Sequence, residues 1–152
     1  KLFKMIKFRS MKDAVDQEGN ILPDEERITP FGQKLRSTTL DEMPQLINVL
    51  KGDMSIVGPR PQLPDFLKYY TPEQMRRHEV RPGMTGLAQV SGRNNLSWEE
   101  KFDLDVQYVN TQNLWLDFKI MFKTAEVMLK KEGINAPDQA VGASRFTGSR
   151  DN

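Results

Sequence analysis

The sequence predicts a helix-dominated α+β fold in a single domain, with a few short strands and amphipathic helices suited to an interface. Three observations lead there. The chain has 152 residues, 38% of them hydrophobic, which is the size and apolar content of one domain with a real core. Capping signatures recur at Thr29-Pro30, at Thr71-Pro72-Glu73-Gln74 and at Ser97 with Glu100, each ahead of a helical stretch. Between them lie Gly- and Pro-rich stretches that leave room only for short strands.

The elements follow in order. KLFKMIKFRSM places Phe3, Met5, Ile6, Phe8 and Met11 among basic residues and is expected to form a strand with a basic face. The chain opens directly in this segment, so a preceding N-terminal part is expected. DAVDQEGNILPDEER is polar and acidic, an exposed loop or hairpin turning at Gly19-Asn20. Thr29 caps a short helix that runs to about Ser37, with Pro30 in its first position. The next helix carries Met43, Leu46, Ile47 and Leu50 at helical spacing and ends at Gly52. Two starts fit it. Thr39 and Glu42 match a capping box, whereas Asp41 as the cap places Pro44 harmlessly in the first turn. In either case Asp41 and Glu42 stand at the helix N-terminus.

KGDMSIVGPRPQLPDF reads as a short strand followed by a stiff turn. The helix opened by Thr71 extends to about Val80 and stops at Arg81-Pro82-Gly83. LAQVSGR reads as a short extended segment. The helix after Ser97 carries Trp98, Phe102, Val106 and Val109, and a last helix spans about Leu116 to Lys131 before Gly133. Residues 1–135 form the expected domain. The small, polar segment 136–152 is expected to be an extended tail.

Composition removes several classes of function. The 22 Lys and Arg nearly balance the 21 Asp and Glu, giving +1, so no nucleic-acid partner is expected. The absence of Cys excludes disulfide frameworks and thiol-based metal or redox centres, and a single His excludes multi-His metal sites. No apolar run approaches the roughly 18–20 residues of a membrane span, and the first ten residues lack a signal-peptide core. There is no P-loop and no G-x-G-x-x-G.

The candidate chemistry lies in acids and arginines. A helix N-terminus favours ionised carboxylates and attracts phosphate. A carboxylate attacking phosphorus must be ionised, and a neighbouring carboxylate can hold Mg2+, which completes its shell with phosphate and water. Asp41 and Glu42 offer that pair, although Asp-Glu alone is usually the signature of a solvated cap. Arg36 lies five positions before Asp41, Arg60, Arg81 and Arg93 lie beside Gly or Pro, and a guanidinium fork matches phosphate. Asp105 falls near the Trp98–Phe102–Val109 side of its helix, where a carboxylate needs a cationic partner such as Lys7. Asp117 reads as a cap and His78 as structural or solvated. LWLDFKIMFKTAEVMLKK mixes aromatics with lysines and suits either a packed core helix or one lying in a membrane interface.

The runs RSTTLDEMPQLINVLKGDMSIVGPRP and VRPGMTGLAQVSGRN closely resemble the bacterial sugar transferase family, the monotopic phosphoglycosyl transferases. The likeness runs from FKMIKFRSM into the tail. It implies transfer of a phosphosugar from a UDP-sugar to polyprenol phosphate, with release of UMP, as the priming step of bacterial glycan assembly such as exopolysaccharide. By that resemblance Asp41 is the nucleophile that becomes a covalent phosphosugar ester, and Glu42 binds Mg2+. Arg36, Pro59, Arg60, Pro61 and Arg93 are matched to substrate binding, Arg93 to the nucleotide-sugar phosphates. Lys7 and Asp105 are matched to support of the site. The expected location is the cytoplasmic face of the bacterial inner membrane. Full-length members carry an N-terminal re-entrant helix, and no segment here inserts into a membrane. The competing expectation is a catalytically silent domain that binds nucleotide-sugar or a membrane-surface partner.

Overall fold

In a computed structural model of the chain, residues 2–92 and 96–130 are described. Two helices carry most of the packing. Ser97 begins α6 (Trp98–Thr111) with a full capping box, its side chain accepting from Glu100 N while Glu100 reaches back to Ser97 N. Asn113 then opens α7 (Leu114–Lys130), its side-chain oxygen accepting from Leu116 N at 2.9 Å. Asp117 is therefore not the cap expected of it. It accepts from the Tyr108 hydroxyl at 2.7 Å.

The core has two parts, joined by α6. Tyr108, Val57 and Ile120 form one cluster, with Leu87, Val90 and Leu116 packed against it. Phe66 and Phe102 form the other, with Tyr69, Tyr70 and Trp98 around them. Tyr70 meets Phe102 edge-on, with ring centroids 5.0 Å apart.

Shorter elements surround these helices. The hairpin loop turns at Gly19, with single antiparallel bridges at Val15–Ile21 and Met11–Ile28, and is followed by α1 (Asp24–Arg27). Thr29 caps α2 (Pro30–Ser37) by accepting from Gly32 N. A 3-10 turn, Leu40–Glu42, precedes α3 (Gln45–Leu50). The strands β1 (Ser55–Val57) and β2 (Gly83–Thr85) pair in parallel, Ser55 opposite Gly83 and Val57 opposite Thr85. Between them a 3-10 segment, Pro64–Tyr69, leads to α4 (Pro72–Met75), where Thr71 and Gln74 complete a capping box. After β2 comes α5 (Leu87–Ser91).

Five expectations are corrected. The segment before Met11 forms no strand; its Leu2, Met5 and Phe8 side chains are exposed rather than on a buried face. The helix expected to reach Val80 is α for four residues and then 3-10 from Arg76 to Glu79. LAQVS is helical, because Leu87 and Val90, three apart, both face the Tyr108 cluster. Thr39 makes no side-chain cap; it takes a left-handed φ of +60°. The carboxylates of positions 41 and 42 stand in the 3-10 turn ahead of α3, not in the first turn of a longer helix. The expected tail and the end at Gly133 lie outside the described residues.

Candidate active site

The site is assembled where the N-terminal segment crosses α2 and the turn before α3. Gly32 permits the crossing, since a Cβ there would collide with the Ser10 carbonyl. Arg36, one turn further along α2, donates from Nε to Ser10 Oγ at 2.9 Å. The left-handed Thr39 then reverses the chain into the 3-10 turn, and Phe8 N donates to the Asp41 carbonyl at 3.0 Å.

A buried amide fixes the upstream stretch. Asn48 on α3 is 1% exposed; its Oδ1 accepts from Ile6 N at 3.0 Å and its Nδ2 donates to the Lys4 carbonyl at 2.9 Å. One side chain thus does the hydrogen bonding of a neighbouring strand. The residue it positions is Lys7.

Lys7 and Arg60 converge on one oxygen. Arg60 Nη2 lies 2.7 Å and Lys7 Nζ 3.3 Å from Glu42 Oε1. Burial disfavours the ionised Glu42, but the charges and hydrogen bonds of Arg60 and Lys7 outweigh it and hold the carboxyl below its ordinary value. Asp41 has the opposite balance. Burial and the adjacent Glu42 charge raise it above the usual carboxylate value, while Lys7 and Arg36 act against the rise. Two neighbouring carboxylates are therefore driven apart: one firmly ionised and braced, the other less well stabilised as an anion. A less stabilised carboxylate is the more basic and reactive oxygen.

Arg60 projects from the Pro59-Arg60-Pro61 turn that follows β1. Both carbonyls before its second proline are held from outside. Gly83 N donates to Pro59 O at 2.9 Å, and Arg77 Nη2 donates to Arg60 O at 2.6 Å. Arg77 is itself buried and donates from Nε and Nη2 to Asp105 Oδ2 at 3.0 and 2.7 Å. Burial pushes the Asp105 carboxyl up to about 6, with Arg77 opposing.

Lys7, Arg36, Asp41, Glu42 and the Pro59–Pro61 turn are thus brought to one place. Asp105 stands behind it, and its partner is Arg77 rather than Lys7, which is engaged by Glu42. Arg77, buried, reaches both Asp105 and the Arg60 carbonyl, whereas Lys7 is held at Glu42 together with the Arg60 guanidinium. Arg93 lies outside the described residues. His78 is exposed and sits with Nδ1 3.1 Å from the Met75 carbonyl, away from this cluster. Sequence reading missed Asn48 and Arg77. An Asn inside the apolar stretch LINVL was a signal for the first; Arg77, one of two adjacent arginines beside the lone His, gave none.

No group of three or more acidic or His side chains able to hold a metal occurs among the described residues. The carboxylates present at the site are those of Asp41 and Glu42, the latter held by Arg60 and Lys7; Mg2+ commonly takes only one or two carboxylates.

Comparison with known proteins identifies the family. The family model described as bacterial sugar transferase matches residues 1–131. The chain is 54% identical to the uncharacterized sugar transferase EpsL of Bacillus subtilis, over 99% of this chain and 74% of EpsL. It is 49% identical to the undecaprenyl-phosphate galactose phosphotransferase of Salmonella typhimurium, over 74% of this chain and 24% of that protein. It is 38% identical to the UDP-glucose:undecaprenyl-phosphate glucose-1-phosphate transferase of Caulobacter vibrioides, over 84% of this chain and 51% of that one. The chain thus spans from about a quarter to three quarters of these relatives. The match takes in the Asp41–Glu42 turn, the Pro59–Pro61 turn and both long helices, and the chain belongs to the bacterial sugar transferase family.

Proposed function

We propose that the chain transfers a phosphosugar from a UDP-sugar to polyprenol phosphate, as the priming step of bacterial glycan assembly. The observation that carries this reading is geometric: Arg60 and Lys7 both grip Glu42, at 2.7 and 3.3 Å, with Asp41 beside it in the same 3-10 turn. Names of relatives supply the substrate classes. The Caulobacter protein is named for UDP-glucose and undecaprenyl phosphate, and a Rhizobium meliloti relative is named for exopolysaccharide production.

In this mechanism an Asp41 carboxylate oxygen attacks the phosphorus that bears the sugar. The bond from that phosphorus to the bridging oxygen breaks, and its electron pair leaves with UMP. The product is an aspartyl phosphosugar. A phosphate oxygen of the polyprenol phosphate then attacks the same phosphorus and restores the Asp41 carboxylate. Both nucleophiles are already anionic, so no strong base is needed; positioning and charge neutralisation dominate. Lys7, Arg36 and Arg60 supply fixed positive charge around the transferred group, and Arg93 is assigned to the nucleotide-sugar phosphates. Glu42, with Asp41 beside it, is the residue that would hold Mg2+. Bound there, the ion would neutralise the incoming diphosphate.

The lipid acceptor places the reaction at a membrane surface, the cytoplasmic face of the bacterial inner membrane in this proposal. The α7 helix supports this. Trp115, Phe118, Phe122 and Leu129 are all exposed, and Trp115, Phe118 and Phe122 share an open apolar face of the helix with Lys119, Lys123 and Glu126. Exposed aromatics beside lysines suit an interface with anionic lipid. No helix among the described residues is long and apolar enough to cross a membrane.

Intact-mass spectrometry after incubation with UDP-sugars and Mg2+ tests the reading. A phosphosugar adduct that is absent in Asp41→Asn is expected. A silent binding domain would retain UDP-sugar binding and form no adduct with any donor.

A further inference from the structure

The guanidinium of Arg77 does more than neutralise a buried acid. All three of its nitrogens are engaged. Nε and Nη2 meet Asp105, Nη1 donates to the Tyr70 hydroxyl at 2.8 Å, and Nη2 also donates to the Arg60 carbonyl at 2.6 Å. The Phe102 and Tyr70 rings lie 5.1 and 5.6 Å from its central carbon, so the fork has little freedom to turn. The carbonyl it holds belongs to a residue between two prolines. Neither proline has an N–H, so the turn has few donors of its own with which to lock itself. Its carbonyls are instead fixed from outside, Pro59 O by Gly83 N and Arg60 O by Arg77. From that same residue the side chain reaches forward to Glu42. A continuous line of contacts therefore runs from α6 through Asp105, Arg77 and the Arg60 backbone to the Asp41–Glu42 turn.

We infer that Arg77 is a positioning residue of the active site, acting through the Arg60 carbonyl to fix the turn from which Arg60 grips Glu42. Asp105 orients the fork that does this. The inference rests on the proposed transferase reading for its catalytic consequence, and on geometry alone for its effect on Arg60. Lysine at position 77 keeps a cation for Asp105, but its three donors radiate from one nitrogen and do not reproduce the planar fork that meets acid, hydroxyl and carbonyl from three. A displaced phosphate-binding group costs rate through misplacement, up to about 100-fold for shifts near 1 Å.

The test uses the full chain with Arg77→Lys, and in parallel the apolar double replacement Arg77→Met with Asp105→Leu, which removes both buried charges together. Relaxation of the Arg60 side-chain Nε–H signal, by 15N NMR, reads the first consequence. An ordered Arg60 in the parent and a mobile one in either folded variant is expected. Steady-state kinetics read the second: kcat falls roughly 10- to 100-fold, KM for the UDP-sugar changes little, and no further loss appears when the change is made in an Arg60→Ala background. An Arg60 that stays ordered in a folded variant overturns the inference, as do losses that multiply with Arg60→Ala. Failure of both variants to fold also overturns it, by making Arg77 a stability residue only. If the parent chain turns over no UDP-sugar, the transferase reading fails by itself and the relaxation result alone decides the positioning role.

Discussion

Two acid–arginine pairs, one behind the other, show how the same chemistry serves different ends. Glu42 and Arg60 meet at 2.7 Å with side chains 15% and 43% exposed; Asp105 and Arg77 meet at the same distance with side chains 4% and 2% exposed. At the front, the cations win and the carboxyl is held below its ordinary value. At the back, desolvation wins and the carboxyl rises to about 6 despite its partner. The front pair leaves an arginine open to solvent, where an anionic substrate can reach it. The back pair is closed, and every Arg77 donor group is committed to protein. Accessible charge is available for binding, and sealed charge for holding a shape.

Substitutions can break this contrast, beginning with the largest effect. Asp41→Asn removes the proposed nucleophile, and turnover is expected to fall by about 10^4-fold or more, measured as UMP release. Wild-type rates from that variant would deny the front region its chemistry. Asp105→Ala leaves Arg77 buried without its counter-ion and is expected to cost about 3–5 kcal/mol in urea unfolding. A change under about 1 kcal/mol, the range of exposed pairs, would erase the distinction between the two pairs. Asn48→Ala strips two hydrogen bonds from residues 4–6 and is expected to cost about 1–3 kcal/mol, with loss of amide-exchange protection at Ile6. Undisturbed protection there would assign the placement of Lys7 to other contacts.

The smallest effect concerns pH and sharpens the comparison. Asp41 is raised in the folded state, so the stability it contributes is present below its unfolded value of about 3.8 and is lost as pH rises through the folded value. At pH 7 the parent therefore carries the cost of an ionised, partly buried Asp41, which Asp41→Asn does not. The variant is expected to melt slightly higher at pH 7, with the gap closing toward pH 3.8 and below. An equal or lower melting temperature at pH 7 would show that Lys7 and Arg36 fully compensate the burial of Asp41.

Much of the frame was legible because it is local. Thr29, Thr71 and Ser97 bond to residues three positions on, so a cap can be read from a few letters. The Asp-Glu pair and the Pro-Arg-Pro turn were likewise visible as residue types, and resemblance supplied their roles. What stayed hidden depends on long-range partners. The basic opening segment looked like a strand, but its hydrogen bonds go to Asn48, more than forty positions away, and to the Asp41 carbonyl. LAQVS is too short for its period to declare itself, and burial of Leu87 and Val90 together decides it. The partner of Asp105 is Arg77, twenty-eight positions back in sequence.

The close pairing of β1 and β2 has a practical consequence for mutational scanning. At Gly83 an added methyl group would strike Gly58 N, Thr85 O and Val57 C, all backbone atoms that cannot swing aside, whereas Gly52, at φ +77°, faces open space. A saturation library should return glycine alone at position 83 and tolerate asparagine at position 52. Such intolerance, found next to the loop that bears Arg60, would reflect interatomic clearance between two paired backbones. It is no sign that the residue takes part in moving phosphate.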